Sequence, residues 1–141
     1  MSEFNPPQSE REDKTMMLDN MNFRIKNAVS SRTGKGVPNQ FFGWYNDVEF
    51  FQSYDTPIIE VDHENLAISI NCGIVSLGRT SGKAYRCSNT TRKYLKMFLN
   101  KAFGDNGNYV YQNLDKLIEK GEVTFMYNMM KRTYKIIKVN E

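Results

Sequence analysis

The chain has 141 residues, of which 40% are hydrophobic and 25% charged, and its formal net charge is +3. That profile suits a single soluble domain able to bury its own core, and no apolar run nears the roughly 20 residues a membrane helix requires. No basic segment followed by an apolar one opens the chain, so export is not expected, the expected compartment is the cytoplasm, and Cys72 and Cys87 are expected as thiols.

Residues 1–20 are polar, contain Pro6 and Pro7, and show no apolar period, so they read as a flexible arm ahead of one domain over 21–141. Met16, Met17, Leu18, Met21, Phe23 and Ile25 suggest a short helix running to Val29, closed by the glycine-bearing loop 30–36. From Phe41 the texture turns aromatic and β-branched. A strand is expected around 40–46, a second over 48–54 from its alternation, a third over 57–61, a turn at 62–65 and a fourth strand over 66–70, together an antiparallel meander. Residues 72–87 read as a long glycine-punctuated loop. Ser88 is a natural N-cap for a helix over 89–103 that Gly104 ends, with Tyr94, Leu95, Phe98, Leu99 and Ala102 on its inner face. A second helix over 109–120 buries Leu114, Leu117 and Ile118 and stops at Gly121, and a hairpin over 122–127 and 133–139 closes the chain. The fold class is therefore α+β: an antiparallel sheet packed by one or two helices, with a C-terminal β-hairpin.

Charge is segregated along this order. Between Gly36 and Gly78 lie Asp47, Glu49, Asp55, Glu60, Asp62 and Glu64 and no Lys or Arg, whereas 65–104 holds seven cations and no acid. The stretch 79–96, "RTSGKAYRCSNTTRKYLK", gathers six of those cations among glycine, hydroxyl and tyrosine side chains. Arg79, Lys83, Arg86, Arg92, Lys93 and Lys96 are the basic binding candidates, and Asp47 and Glu49 mark an acidic strand block as the alternative face.

Catalytic constellations are not found. The one histidine, His63, sits between acids in a turn and reads as solvated, and three potential ligands without paired spacing do not make a zinc site. Glu60 and Asp62 share one strand face but no lysine accompanies them, and "GRTSGK" is one residue short of a Walker loop and has Ala84 where Ser or Thr would hold magnesium. No catalytic residue, metal or cofactor is assigned, and an enzyme is not expected.

Two pieces, "SYDTPIIEVD" (53–62) and "SNTTRKYLKMFL" (88–99), resemble the paired signature of small bacteriophage-encoded accessory proteins: an S-Y-x-T-x-I strand, then S-x-T-T and a basic residue opening a helix. The resemblance covers roughly 41–100, and this chain adds a second helix and a last hairpin. It implies a phage or mobile-element origin, the host cytoplasm, and stoichiometric binding to a host or defence protein complex that handles nucleic acid, as anti-CRISPR inhibitors do. On that expectation naked nucleic acid binds only weakly and no membrane is involved. The alternative expectation is a direct nucleic-acid binder in which 89–139 forms a winged-helix half with Lys131 and Arg132 at the wing tip.

Overall fold

A computed structural model describes residues 16–18, 21–71 and 89–139. Eight strands make one sheet: β1 (Met16–Leu18), β2 (Met21–Val29), β3 (Gly36–Tyr45), β4 (Val48–Ser53), β5 (Thr56–Asp62), β6 (Ala67–Asn71), β7 (Glu122–Tyr127) and β8 (Met130–Val139), in the spatial order β1-β2-β3-β4-β5-β6-β8-β7. All neighbours are antiparallel except β6 and β8, which run parallel. Three helices cover one face: α1 (Asn89–Phe103), α2 (Asn106–Gln112) and α3 (Leu114–Lys120).

The class is α+β as expected, but the sheet dominates. The closing hairpin extends the central meander, as a hairpin extending or flanking it is expected to, whereas the strands over residues 16–29 are an addition the sequence reading did not expect. The closing hairpin is no free wing: β8 pairs with β6 from Ala67↔Lys135 to Asn71↔Val139, so the hairpin forms one side of the sheet. The winged-helix arrangement is therefore absent from the described residues.

The expected helix ending at Val29 is a strand. Phe23 and Ile25 alternate with Arg24 and Lys26, and this period of two places Phe23 opposite Tyr45 and Arg24 opposite Trp44 on β3. Met16–Leu18, expected in the arm, pair with residues 21–23 as an edge strand, while the rest of that arm lies outside the described residues. The expected second helix is two. Asn113 leaves helical geometry at φ −114° and ψ 18°, its side-chain amide donates to the Tyr109 carbonyl at 2.9 Å, and the chain turns between α2 and α3. α2 also starts three residues earlier than expected. Gly107 lets its backbone lie directly on the Leu99 carbonyl of α1, where any Cβ would collide.

The α1 pattern is as expected, with Tyr94, Leu95, Phe98, Leu99 and Ala102 buried, joined by Thr91 and Phe103. Phe98 stacks on Phe51 of β4 with ring centroids 6.1 Å apart and leans on Phe42 of β3 at 5.7 Å. Registers then assign faces. Phe42, Phe51, Ile59, Ile70 and Val61, Ile68, Ile136 lie on the helix side, whereas Gly43, Phe50 and Glu60 share the outer side. A buried polar chain anchors the start of α1 to the sheet: the Gln40 amide donates to Ser53 Oγ at 3.1 Å, and Ser53 Oγ lies 3.1 Å from the Thr91 hydroxyl.

The β3–β4, β5–β6 and β7–β8 turns and the last turn of α1 all come to one end of this sheet. Three loops of distant sequence thus meet on a rigid frame.

Candidate functional site

His63 stands at the centre of that end. It follows β5, and its backbone N–H donates to the Asp47 carbonyl at 3.0 Å, tying the β5–β6 turn to the β3–β4 turn. Asp62 shapes the turn itself: its Oδ1 accepts the N–H groups of Glu64 (3.0 Å) and Asn65 (2.9 Å). Those bonds to the charged carboxylate, Asn65 first, hold its pKa below the ordinary value.

The sequence reading of His63 as a solvated turn residue is corrected here, since its side chain is only 16% exposed. Nε2 is 3.1 Å from Glu49 Oε1 and Nδ1 is 3.4 Å from the Tyr134 hydroxyl. Both ring nitrogens thus face a hydrogen-bonding partner, a carboxylate on one side and a phenol on the other. The ring stacks on Trp44 with centroids 5.4 Å apart and on Tyr127 at 6.0 Å, and Phe103 meets it edge-on. Trp44 comes from β3 and Tyr127 from β7, on either side of the β5–β6 turn in the sheet order, so His63 is the middle ring of a three-ring stack.

Glu49 is buried at 2% exposure, facing the helix side with Phe51. Its other oxygen accepts from Lys101 Nζ at 3.3 Å, and Lys101, in the last turn of α1, remains 41% exposed. A carboxylate with both oxygens engaged by donors is the arrangement a buried charge requires. Glu49 is consequently not part of an acidic binding face, which corrects the expectation for it; Asp47 is exposed in the turn. Burial pushes the Tyr134 hydroxyl up, and burial followed by the Glu49 charge pushes Tyr127 up, so both phenols stay protonated donors at neutral pH.

Two open pockets adjoin this stack and share Trp44 and Lys101 as a common wall. One, about 240 Å³, lies toward β2 and is lined by Arg24, Ile25, Lys26, Phe42 and Gly43 as well. The other, about 330 Å³, lies toward the hairpin turn and includes Asp47, Glu49, His63, Tyr127, Asn128 and Arg132. The two adjoining pockets are together called the trough. Arg24, Lys26, Lys101 and Arg132 supply four cations from β2, α1 and β8, against exposed Asp47 and paired Glu49. The Arg132 guanidinium lies 5.9 Å from the Tyr127 ring centre, a cation–π distance.

The chain belongs to DUF8033, a family of unknown function. The match runs over residues 14–114 and takes in Arg24, Lys26, Trp44, Glu49, His63 and Lys101, while Tyr127, Arg132 and Tyr134 lie beyond it. No curated protein and no solved structure matches the chain.

Of the residues singled out from sequence, Arg79, Lys83 and Arg86 lie outside the described residues, as do Cys72, Cys87 and the Ser88 cap. Arg92, Lys93 and Lys96 are on α1 away from the trough. Lys96 reaches over Tyr111 of α2 at 5.9 Å and Lys93 lies by Tyr94 at 5.5 Å. Glu60 and Asp62 do share the outer face, but the Glu60 carboxylate accepts the Tyr45 hydroxyl at 2.8 Å and Asp62 is used by its own turn. Among the described residues no group of three His, Cys, Asp or Glu side chains is placed to hold a metal, and no described helix is long and apolar enough to cross a membrane.

The trough is not legible in the sequence because its residues are far apart in the chain and the apolar pattern over 16–29 suggests a helix that takes in Arg24 and Lys26. The available signal was the alternation in "FRIK", which as a strand puts both cations on one face.

Proposed function

We propose that this protein is a non-catalytic nucleic-acid-binding protein and that the trough across Trp44 and Lys101 is its binding surface. The carrying observation is the convergence of Arg24, Lys26, Lys101 and Arg132 around the half-buried Trp44. Cations track phosphates and an aromatic face accepts a base, so this combination serves a polyanion carrying planar rings. A structural role for His63 is supported by its two nitrogens lying against Glu49 and Tyr134 and its ring being stacked between Trp44 and Tyr127.

The test is equilibrium binding of oligonucleotides over a salt series. Affinity should fall linearly on a log–log plot, and Arg24→Ala and Lys26→Ala should each reduce the slope by about one. Binding no tighter than the roughly 10⁻⁴–10⁻⁶ M of non-specific contacts, or a slope unmoved by both substitutions, would sink this reading. The stoichiometric inhibitor of a host nucleic-acid-handling complex would then be preferred, with Arg92, Lys93 and Lys96 on the outer side of α1 as its contact surface. Capture of such a complex by wild-type protein, lost in Lys93→Glu/Lys96→Glu, would support it.

A further inference from the structure

We infer that the ligand of the trough is single-stranded, with one base stacked on the face of Trp44 turned away from His63. This inference rests on the nucleic-acid reading above and goes further by naming the strand form and its anchor.

Four observations lead to it. Trp44 is held before any ligand arrives: His63 covers one face of its ring, and His63 is itself fixed by Glu49, Tyr134 and Tyr127. A ring already immobilised loses little entropy on stacking. Beyond its other face, the pocket toward β2 has an apolar floor of Phe42 and Gly43 with Arg24 and Lys26 beside it, which suits a flat base with phosphates at its edge. Gly43 contributes only backbone to this floor, since a side chain there would point to the outer face and into Phe50. The two pockets share Trp44 and Lys101 in their walls, so a ligand that passes over those two side chains has Arg24 and Lys26 on one side and Arg132 on the other. Finally, Trp44 lies within strand β3 and shares a pocket with Lys101 of α1 and with Tyr127 and Asn128 of the last hairpin. Duplex recognition needs a helix or ribbon that projects into a groove, whereas a recessed aromatic ring is accessible to a base free of its partner.

The chain has a single tryptophan, so its intrinsic fluorescence reports on Trp44 alone. The protein is titrated with an oligothymidylate of about 15 nucleotides, with a mixed-sequence duplex of the same length, and with thymidine monophosphate, and binding is followed by tryptophan emission and by anisotropy of labelled DNA. The single strand should quench Trp44 and bind at least about tenfold tighter than the duplex or the mononucleotide. Loss of one stacked base in Trp44→Ala should weaken it roughly 5- to 150-fold, while Trp44→Phe, which keeps an aromatic face, retains most of the affinity. A duplex binding as tightly as the single strand, or single-strand binding that leaves Trp44 emission and the Trp44→Ala affinity unchanged, overturns the inference but leaves nucleic-acid binding standing. A mononucleotide matching the oligomer replaces the strand with a nucleotide pocket. Absence of binding by all three ligands removes both readings together.

Discussion

The helix-side face of the sheet has two regions built from the same strands. Across β4, β5 and β6 it is sealed by the helices, and Phe51, Ile59, Val61, Ile68 and Ile70 are each at most 1% exposed. On its β2 flank the same face carries Arg24, Lys26 and Trp44 and stays open to solvent. Phe42 belongs to both, with its ring against Phe98 in the core and its edge in the trough. The difference lies in the helix, not in the strands: where α1 ends, the alternation that elsewhere delivers core side chains delivers cations and an aromatic ring. Stability and binding should therefore separate along this line.

The largest effect is expected in the sealed region. Phe98→Ala removes a ring in contact with both Phe51 and Phe42 and should cost about 3–5 kcal/mol by chemical denaturation. Arg24→Ala or Lys26→Ala, on the open flank, should stay within about 0.5 kcal/mol of wild type while changing the salt dependence of binding. A large stability loss from either cation would mean that the flank is part of the folded scaffold and not a free surface.

Glu49 lies on the border between the regions. Glu49→Ala leaves His63 Nε2 without its partner, but Lys101 is exposed enough to rehydrate, so a loss of about 1–3 kcal/mol is expected. Because His63 then loses what orients it behind Trp44, tryptophan emission should shift to longer wavelength and single-strand affinity should fall together with stability. Unchanged emission would show that the ring stack is held by packing alone.

The two regions also differed in how far the sequence disclosed them. The sealed region was legible because its signals are local: the 3.6-residue period from Tyr94 to Ala102, the stops at Gly104 and Gly121, and the alternation in 48–53 each lie within one element. The open region was not, because Arg24, Trp44, His63, Lys101 and Arg132 come together only through strand order and the parallel β6–β8 pairing, which leave no mark within any short window. One misassigned segment, residues 16–29, hid two of its cations. Glu49 was misjudged for a related reason. A charged residue alternating with Val48 and Phe50 reads as solvent-facing, but Phe50 is the one on the outer face, lying over Gly43, and Glu49 points inward to partners 14 and 52 residues away.

Asp62 offers a smaller and pH-dependent contrast. Its folded pKa is lowered below 3.8, chiefly by the Asn65 N–H, so the carboxylate form stabilises the turn that carries His63. That contribution is fully present above the unfolded value and is lost as pH falls through the folded one. Asp62→Asn, which resembles the protonated acid, should be about 1 kcal/mol less stable at neutral pH, with the gap closing as pH falls through and below the ordinary carboxylate range. A gap that persists in acid would assign the effect to side-chain shape instead of charge.

The smallest expected effect has the opposite sign. Asn128 and Met129 join β7 to β8 with φ values of 54° and 67°, the two-residue turn in which both central positions are left-handed, and Met129 is 93% exposed. Asparagine tolerates that geometry and glycine favours it, whereas a methionine there carries the strain of its Cβ. Met129→Gly should therefore stabilise the fold, by about 0.5–1 kcal/mol after the entropy that glycine adds to the unfolded chain is subtracted. The turn rims the pocket next to Asn128 and Arg132, so binding by the same variant is informative. Higher stability with unchanged single-strand affinity would place Met129 outside the contact surface, whereas higher stability with weaker affinity would place it within that surface.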